Sequence, residues 1–352
     1  MPGPLPTADL NLILEHTADL WPDLRGQRLF LTGGTGFFGC WLVESFCHIN
    51  RELSLGAQVT ILSRDAEKFH AKCPHLAHDA AITLHAGDVR DFSFPTGEFS
   101  HIIHAATETT ATPGANDPLG TLSTILRGTE RALDFAVKCG ARKFLLTSSG
   151  AVYGRQPAEM THVPETYMGG PNPVDAASDY GEGKRAAEVM CALYQKRGSA
   201  TGANFEAKIA RCWAFCGPHL PLDAHFAIGN FIGDAIAGRP ISIGGDGTPR
   251  RSYLYAADLA IWLWTILFRG PSLVPINVGS GHDVSIRELA EIVAATLAPA
   301  TPIHVAKQAV ADAPVSRYVP SVERAETLLG LRARVGLEET IRRTVAWTTG
   351  TE

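Results

Sequence analysis

The chain has 352 residues, 45% apolar and 19% charged, so it can bury a sizeable core and is not a disordered polymer. A net charge of −5 speaks against a nucleic-acid or membrane-surface binder, which needs a concentrated basic face. No apolar run reaches the ~18 residues of a membrane span, Met1–Leu20 lacks a signal-sequence pattern, and the seven cysteines show no paired framework, so the expectation is a cytoplasmic protein with reduced thiols.

Residues 1–26 read as an N-terminal extension. Arg28–Thr32 is a short apolar run ending in glycines and predicts a first strand. Gly36–Ile49 follows with the helical spacing of Phe38, Leu42, Val43 and Phe46. Gln58–Ser63, Ile82–Ala86 and His101–Ala105 predict the next three strands. A helix over Leu119–Cys139, a strand over Lys143–Ser148, a helix over Ser178–Lys196 and a strand over Glu206–Arg211 complete the pattern. Strands alternating with helices imply an α/β fold, a doubly wound parallel sheet with right-handed crossovers. After Arg211 the elements shorten and Gly/Pro turns multiply. The expected division is a main domain over 27–211, joined again by 252–280, and a smaller α/β domain over 212–251 and 281–352.

Three motifs carry chemistry. Gly33, Gly36 and Gly39 lie between the first strand and the first helix. There, glycine allows a tight turn and lets backbone N–H groups approach a pyrophosphate at the helix N-terminus. The second strand ends at Ser63-Arg64 with no carboxylate to hold a ribose 2′-OH, which suits a 2′-phosphate and favours NADP over NAD. An arginine that merely covers the strand end is the bland alternative. Asp88-Val89 follows the third strand, where it meets an adenine ring or simply caps a turn. Tyr180 and Lys184 stand four apart, on one face if helical, and an ammonium near a phenol is expected to lower the phenol's pKa. Ser149, at the C-terminal end of a parallel strand, faces the ligand crevice and can orient a reacting oxygen. His70, His75, His78 and His85 lack metal-ligand spacing on one helix face and read as solvated surface, so no metal is expected.

Together these pieces resemble the extended short-chain dehydrogenase/reductase superfamily, specifically its NAD-dependent epimerase/dehydratase family, over about 27–347. The matching stretches are TGGTGFFG, GDVRD at 87–91, HAAT at 104–107, SSGAVYG at 148–154, YGEGK at 180–184, RPISIGGDGTPRRSYLYAADLA at 239–260 and INVGSG at 276–281. The resemblance implies a Ser149, Tyr180, Lys184 triad in a Rossmann fold. It places Thr35, Phe37 and Phe38 beside the glycines at the cofactor, with Ala105, Ala106, Thr107 and Thr147, and Lys184 on the nicotinamide ribose. It assigns Arg251 to a substrate diphosphate, and Asn230, Thr107, Ser149 and Ala151 to substrate contact.

The implied substrate is a nucleoside-diphosphate sugar, with an epimerase or a 4-ketoreductase acting at C4. Two departures matter. Sugar 4,6-dehydratases carry an acidic pair, and sugar-acid decarboxylases a glutamate, around the position of Ala151, so both activities are disfavoured. Ile125 and Ala214 stand where many members have asparagine. The rival readings are a reductase of a non-sugar carbonyl compound and a non-catalytic NADP-binding sensor. The resemblance also suggests a homodimer through the helices near 119–139 and 178–197, and polysaccharide biosynthesis as a setting.

Overall fold

The computed structural model describes residues 3–76, 78–107, 117–201, 205–224, 226–311 and 313–351. Its first half runs α1 (Thr7–Thr17), β1 (Arg28–Thr32), α2 (Phe37–Glu52), β2 (Gln58–Ser63), α3 (Ala66–Lys72), β3 (Ile82–Ala86), β4 (His101–His104), α4 (Pro118–Lys138), β5 (Lys143–Ser149), α5 (Asp179–Thr201) and β6 (Glu206–Cys212). The second half runs β7 (Phe215–Cys216), α6 (Ala227–Ile236), β8 (Ile241–Ile243), β9 (Arg250–Ser252), β10 (Leu254–Tyr255), α7 (Ala256–Arg269) and β11 (Ile276–Val278). It ends with β12 (Asp283–Ser285), α8 (Ile286–Leu297), β13 (Ile303–Val305), β14 (Arg317–Tyr318), α9 (Glu323–Leu329) and α10 (Leu337–Thr349).

Seven parallel strands form the main sheet in the order β11-β6-β5-β4-β1-β2-β3. The order reverses between β1 and β4, and a ligand crevice opens beyond the carboxyl ends of the strands at such a point. The inner strands are buried on both faces. Phe30, Ile102 and Phe144 from one face and Leu31, Ile103 and Leu145 from the other are all essentially inaccessible. β11 joins the far edge by pairing Ile276–Val278 with Ala210–Cys212. Helix α7 is buried over its whole circumference from Ala256 to Phe268, as a helix apolar all round must be.

The first 26 residues carry more structure than expected. Leu10, Ile13 and Thr17 recur at helical spacing and bury one face of α1, and a 3-10 segment over Ala18–Leu24 inserts Trp21 and Leu24 fully into the core. Trp21 packs against Trp264 of α7, the two rings tilted with centroids 4.7 Å apart. Its indole N–H finds Thr17 at 3.0 Å, so burial leaves no donor stranded. Asp9 accepts from the Tyr255 hydroxyl (2.5 Å) and the Arg343 guanidinium (2.6 Å), joining the two ends of the chain.

Around the second half lie three small sheets: β12-β9-β14, β13-β8 and β10-β7. Helices α6 and α8 pack on them around Ile228, Ile232, Leu289 and Val293. Among the described residues no helix is long and apolar enough to cross a membrane.

Candidate active site

The glycine loop is a cradle that side chains would fill. Gly33 has φ +76, and a Cβ there would lie 2.6 Å from the Ala105 backbone. A Cβ on Gly39 would lie 2.3 Å from the Gly33 carbonyl oxygen, so α2 reaches the loop only without a side chain. The Gly36 amide donates to the Gly33 carbonyl at 3.0 Å and closes the turn. Gly36 then caps α2 with no side chain of its own, and the first N–H groups of α2 point into the crevice. Thr35 flanks this turn. Phe38 packs at 5.1 Å on Phe215, and Phe37 leans on Phe38. A cradle of this shape, at the reversal of strand order, fits a dinucleotide pyrophosphate.

The floor beside it is polar but satisfied. The Thr32 hydroxyl accepts from the Ala106 amide (3.1 Å) and bonds His104 Nδ1 (2.9 Å), while His104 Nε2 reaches Thr129 (3.2 Å). Burial pushes His104 down to about 3, so the ring is neutral. The Ala105 amide donates to the Thr32 carbonyl, which sets Ala105, Ala106 and Thr107 along the lip.

At the end of β2 the Ser63 hydroxyl is spent on a local turn with Asp65, and Arg64 stands exposed beside it. Asp88 both caps a turn, through the Arg90 amide at 3.0 Å, and pairs with the Arg90 side chain, which holds its carboxyl below the ordinary value. Val89 is buried and packs toward Gly128 in the core.

Ser149 ends β5, and Tyr180 and Lys184 lie in the first turns of α5. Lys184 Nζ donates to the Thr147 carbonyl at 2.8 Å and sits 5.8 Å from the Tyr180 ring centre. Burial pushes Lys184 down to about 8 and Tyr180 up to about 12, the latter countered in part by hydrogen bonding from Ser149. The expected lowering of the phenol by the ammonium is therefore not found: burial dominates, and the ammonium is engaged by the Thr147 carbonyl. As it stands, Tyr180 is a neutral phenol.

The two glycines between Tyr180 and Lys184 weaken a helix by propensity, but each permits a close approach. A Cβ on Gly181 would lie 2.8 Å from the Ala151 carbonyl oxygen, and one on Gly183 3.1 Å from Ile125. Ile125 thus fills the α4–α5 seam. Ala151 donates its amide to the Ser149 hydroxyl at 3.1 Å.

Sequence reasoning missed the wall opposite Tyr180. β14 pairs with β9, setting Tyr318 beside Arg251, and the Tyr318 phenol hydrogen-bonds Ser149. Its ring lies 4.4 Å from Trp213, and a Cβ on Gly150 would lie 2.7 Å from both the Trp213 ring and the Tyr318 hydroxyl. Arg250 is engaged by Asp283 and Glu288, whereas Arg251 makes no ion pair among the described residues and sits next to Tyr253 and Tyr318. Asn230 is exposed on the first turn of α6.

Asn277 of β11 was also missed as a hub. Its carbonyl accepts from Tyr153 (2.9 Å) and Trp213 (3.2 Å), and its amide donates to the Val163 and Ser321 carbonyls. No local signal marks Tyr318. The INVGSG stretch was a signal for Asn277, but not for its role.

With this geometry in hand, the comparisons are specific. Residues 29–279 match the model of the NAD dependent epimerase/dehydratase family. UDP-glucuronic acid decarboxylase 1 of Arabidopsis thaliana is 32% identical over 91% of this chain and 69% of its own length. A Thermotoga maritima UDP-glucose 4-epimerase structure with UDP-glucose superposes with a TM-score of 0.74 at 19% identity, covering 92% of this chain and 99% of that one. MoeE5 in complex with UDP-glucuronic acid and NAD gives 0.73 at 24% identity, covering 92% and 100%. These structural likenesses show the Rossmann-type fold.

Proposed function

Because the chain belongs to the NAD dependent epimerase/dehydratase family, we propose that it is an NAD(P)-dependent enzyme that transfers hydride at C4 of a nucleoside-diphosphate sugar. The observation that carries this reading is the convergence of Ser149, Tyr180 and Lys184 at the carboxyl end of β5, beside the glycine cradle. A nicotinamide dinucleotide held by the Gly33–Gly39 cradle and Lys184 would supply hydride chemistry at C4. Tyr180 exchanges the proton of the 4-hydroxyl, Ser149 orients that oxygen, and Lys184 holds the adjoining ribose. Arg251 clamps the diphosphate, a role supported by its making no ion pair among the described residues.

The fate of the 4-keto sugar separates two readings. In a uronic acid the carboxylate lies β to the new ketone, so the C5–C6 bond breaks readily, CO2 leaves, and C5 takes a proton before C4 is reduced. The curated relative named a UDP-glucuronic acid decarboxylase favours this reading. Ala151 favours the other, C4 epimerisation or ketoreduction without loss of carbon, because no carboxylate stands at that position. Arg64 supports use of NADP. Helices α4 and α5 leave Leu119, Val137, Val189 and Leu193 exposed, which supports a homodimer through that face.

The test is incubation with UDP-glucuronic acid and NAD, and separately with 4-keto-6-deoxy sugar nucleotides and NADPH or NADH, followed by NMR and nicotinamide absorbance. A pentose product with CO2 establishes decarboxylation, and a C4 epimer without net cofactor change establishes epimerisation. Stoichiometric oxidation of reduced cofactor establishes a ketoreductase. Bound cofactor with no reaction on any sugar overturns the reading.

A further inference from the structure

Beside α2, four separate segments of the chain meet at one buried polar node. Cys40 and Glu44 come from consecutive turns of α2. Cys73 and His75 follow α3, and His219 comes from the loop after β7. The two cysteine sulfurs and a ring nitrogen of His219 lie within 4.8 Å of one another, and the three residues are buried. Glu44 accepts from the Leu5 amide at 2.7 Å, pairs with His75 at 3.0 Å and with His219 Nε2 at 3.3 Å. His219 also interacts with the Cys40 side chain, and its buried Nδ1 finds no nitrogen or oxygen partner. The His219 backbone sits at φ 71, a region that residues other than glycine rarely occupy unless the surroundings hold them there.

We propose that Cys40, Cys73 and His219 bind a divalent metal ion of the zinc class, with Glu44 orienting the imidazole from behind. The spacing supports it. Two thiolates at ~2.3 Å from a tetrahedral zinc ion stand ~3.8 Å apart, and the Cys40 and Cys73 sulfurs stand 3.9 Å apart. A disulfide would need them at ~2.05 Å, so this pair is far from bonded. Two thiolates and a neutral imidazole cancel the charge of a divalent ion, which lowers the cost of burying it, and they supply three of its four tetrahedral positions. Nε2–H to Glu44 with Nδ1 toward the sulfurs is the arrangement by which a carboxylate fixes a metal-binding histidine. Thiolate and imidazole donors select zinc over magnesium or calcium. The ion would tie the first turn of α2 to the 73–75 segment and the 217–219 loop, and through Glu44 to the backbone at Leu5. Its role is a cross-link holding the dinucleotide-binding helix in place.

The test uses the full-length protein, stripped with a chelator and titrated with Zn2+ and then with Co2+, with Cys191→Ser as a control thiol. The expected result is one equivalent of metal per chain and a tetrahedral Co2+ spectrum with a thiolate charge-transfer band. Thermal stability should rise with zinc. Cys40→Ser and Cys73→Ser should abolish the band, Glu44→Gln should weaken affinity about 10–100-fold, and Cys191→Ser should leave the metal stoichiometry and the band unchanged. Should the Cys40 and Cys73 variants fail to fold, the wild-type cobalt spectrum still decides. Absence of zinc and cobalt uptake, or a cobalt spectrum without the thiolate band, overturns the proposal. So does a Cys40–Cys73 disulfide formed on mild oxidation in a chain that takes up no metal.

Discussion

The two ends of the crevice are built by different means. At the dinucleotide end, the groups that matter lie within seven residues, Gly33 to Gly39, and their work is to be small. At the substrate end, Ser149, Tyr180, Arg251 and Tyr318 arrive from four elements far apart in the chain, and their work is to be polar in a dry place. The first end is held by backbone contact, the second by a web of buried side-chain hydrogen bonds centred on Asn277. Damage to the first should therefore appear in cofactor affinity, and damage to the second in turnover and stability.

The largest separation is expected from Tyr180→Phe. Removing a general acid–base group costs roughly 10²–10⁴-fold in turnover, while the dissociation constant for the cofactor should stay within about threefold, since the glycine cradle is untouched. Equal losses in both would break the comparison. Next comes Asn277→Leu, which strands the hydrogen-bonding groups of Tyr153, Trp213, Val163 and Ser321. Denaturant titration should show a loss of ~3 kcal/mol, with the cofactor affinity of the surviving fold preserved.

Gly39→Ala should cost ~1–3 kcal/mol through overpacking against the Gly33 carbonyl, and calorimetry should find cofactor affinity reduced at least tenfold. A pH effect belongs to the same end. His104 is held near 3 in the folded chain, against 6.5 in an unfolded one. Its folded pKa is depressed, so its contribution is present above 6.5 and is lost as pH falls from 6.5 toward 3, where the unfolded chain takes up the proton. His104→Asn should flatten the acid arm of the stability curve over that window, measured by denaturant titration at several pH values. The smallest effect is expected at the exposed Arg64, where Arg64→Ala should raise KM for NADPH about tenfold and leave KM for NADH unchanged. Equal changes for both would remove the argument for NADP.

What could be read without the structure follows from locality. Six strands of the main sheet were placed to within one residue, because buried parallel strands are short, continuous apolar runs. The proximity of Tyr180 and Lys184 was legible because residues four apart share a helix face, and the position of Ser149 because it ends a strand. The neutral state of Tyr180 was not legible, since burial is set by the whole chain and not by its neighbour at i+4. The structured role of residues 1–26 was within reach in the spacing of Leu10, Ile13 and Thr17.

The sequence by itself determined the doubly wound sheet, the glycine cradle and the pairing of Tyr180 with Lys184, each of which rests on residues a few positions apart. Only the tertiary structure decided that Tyr318 stands over Ser149, that Asn277 ties four strangers together, and that Cys40, Cys73, Glu44 and His219 face one another. Those contacts are made where distant segments pack, and packing depends on the shape and volume of every neighbour at once. No spacing along the chain encodes it.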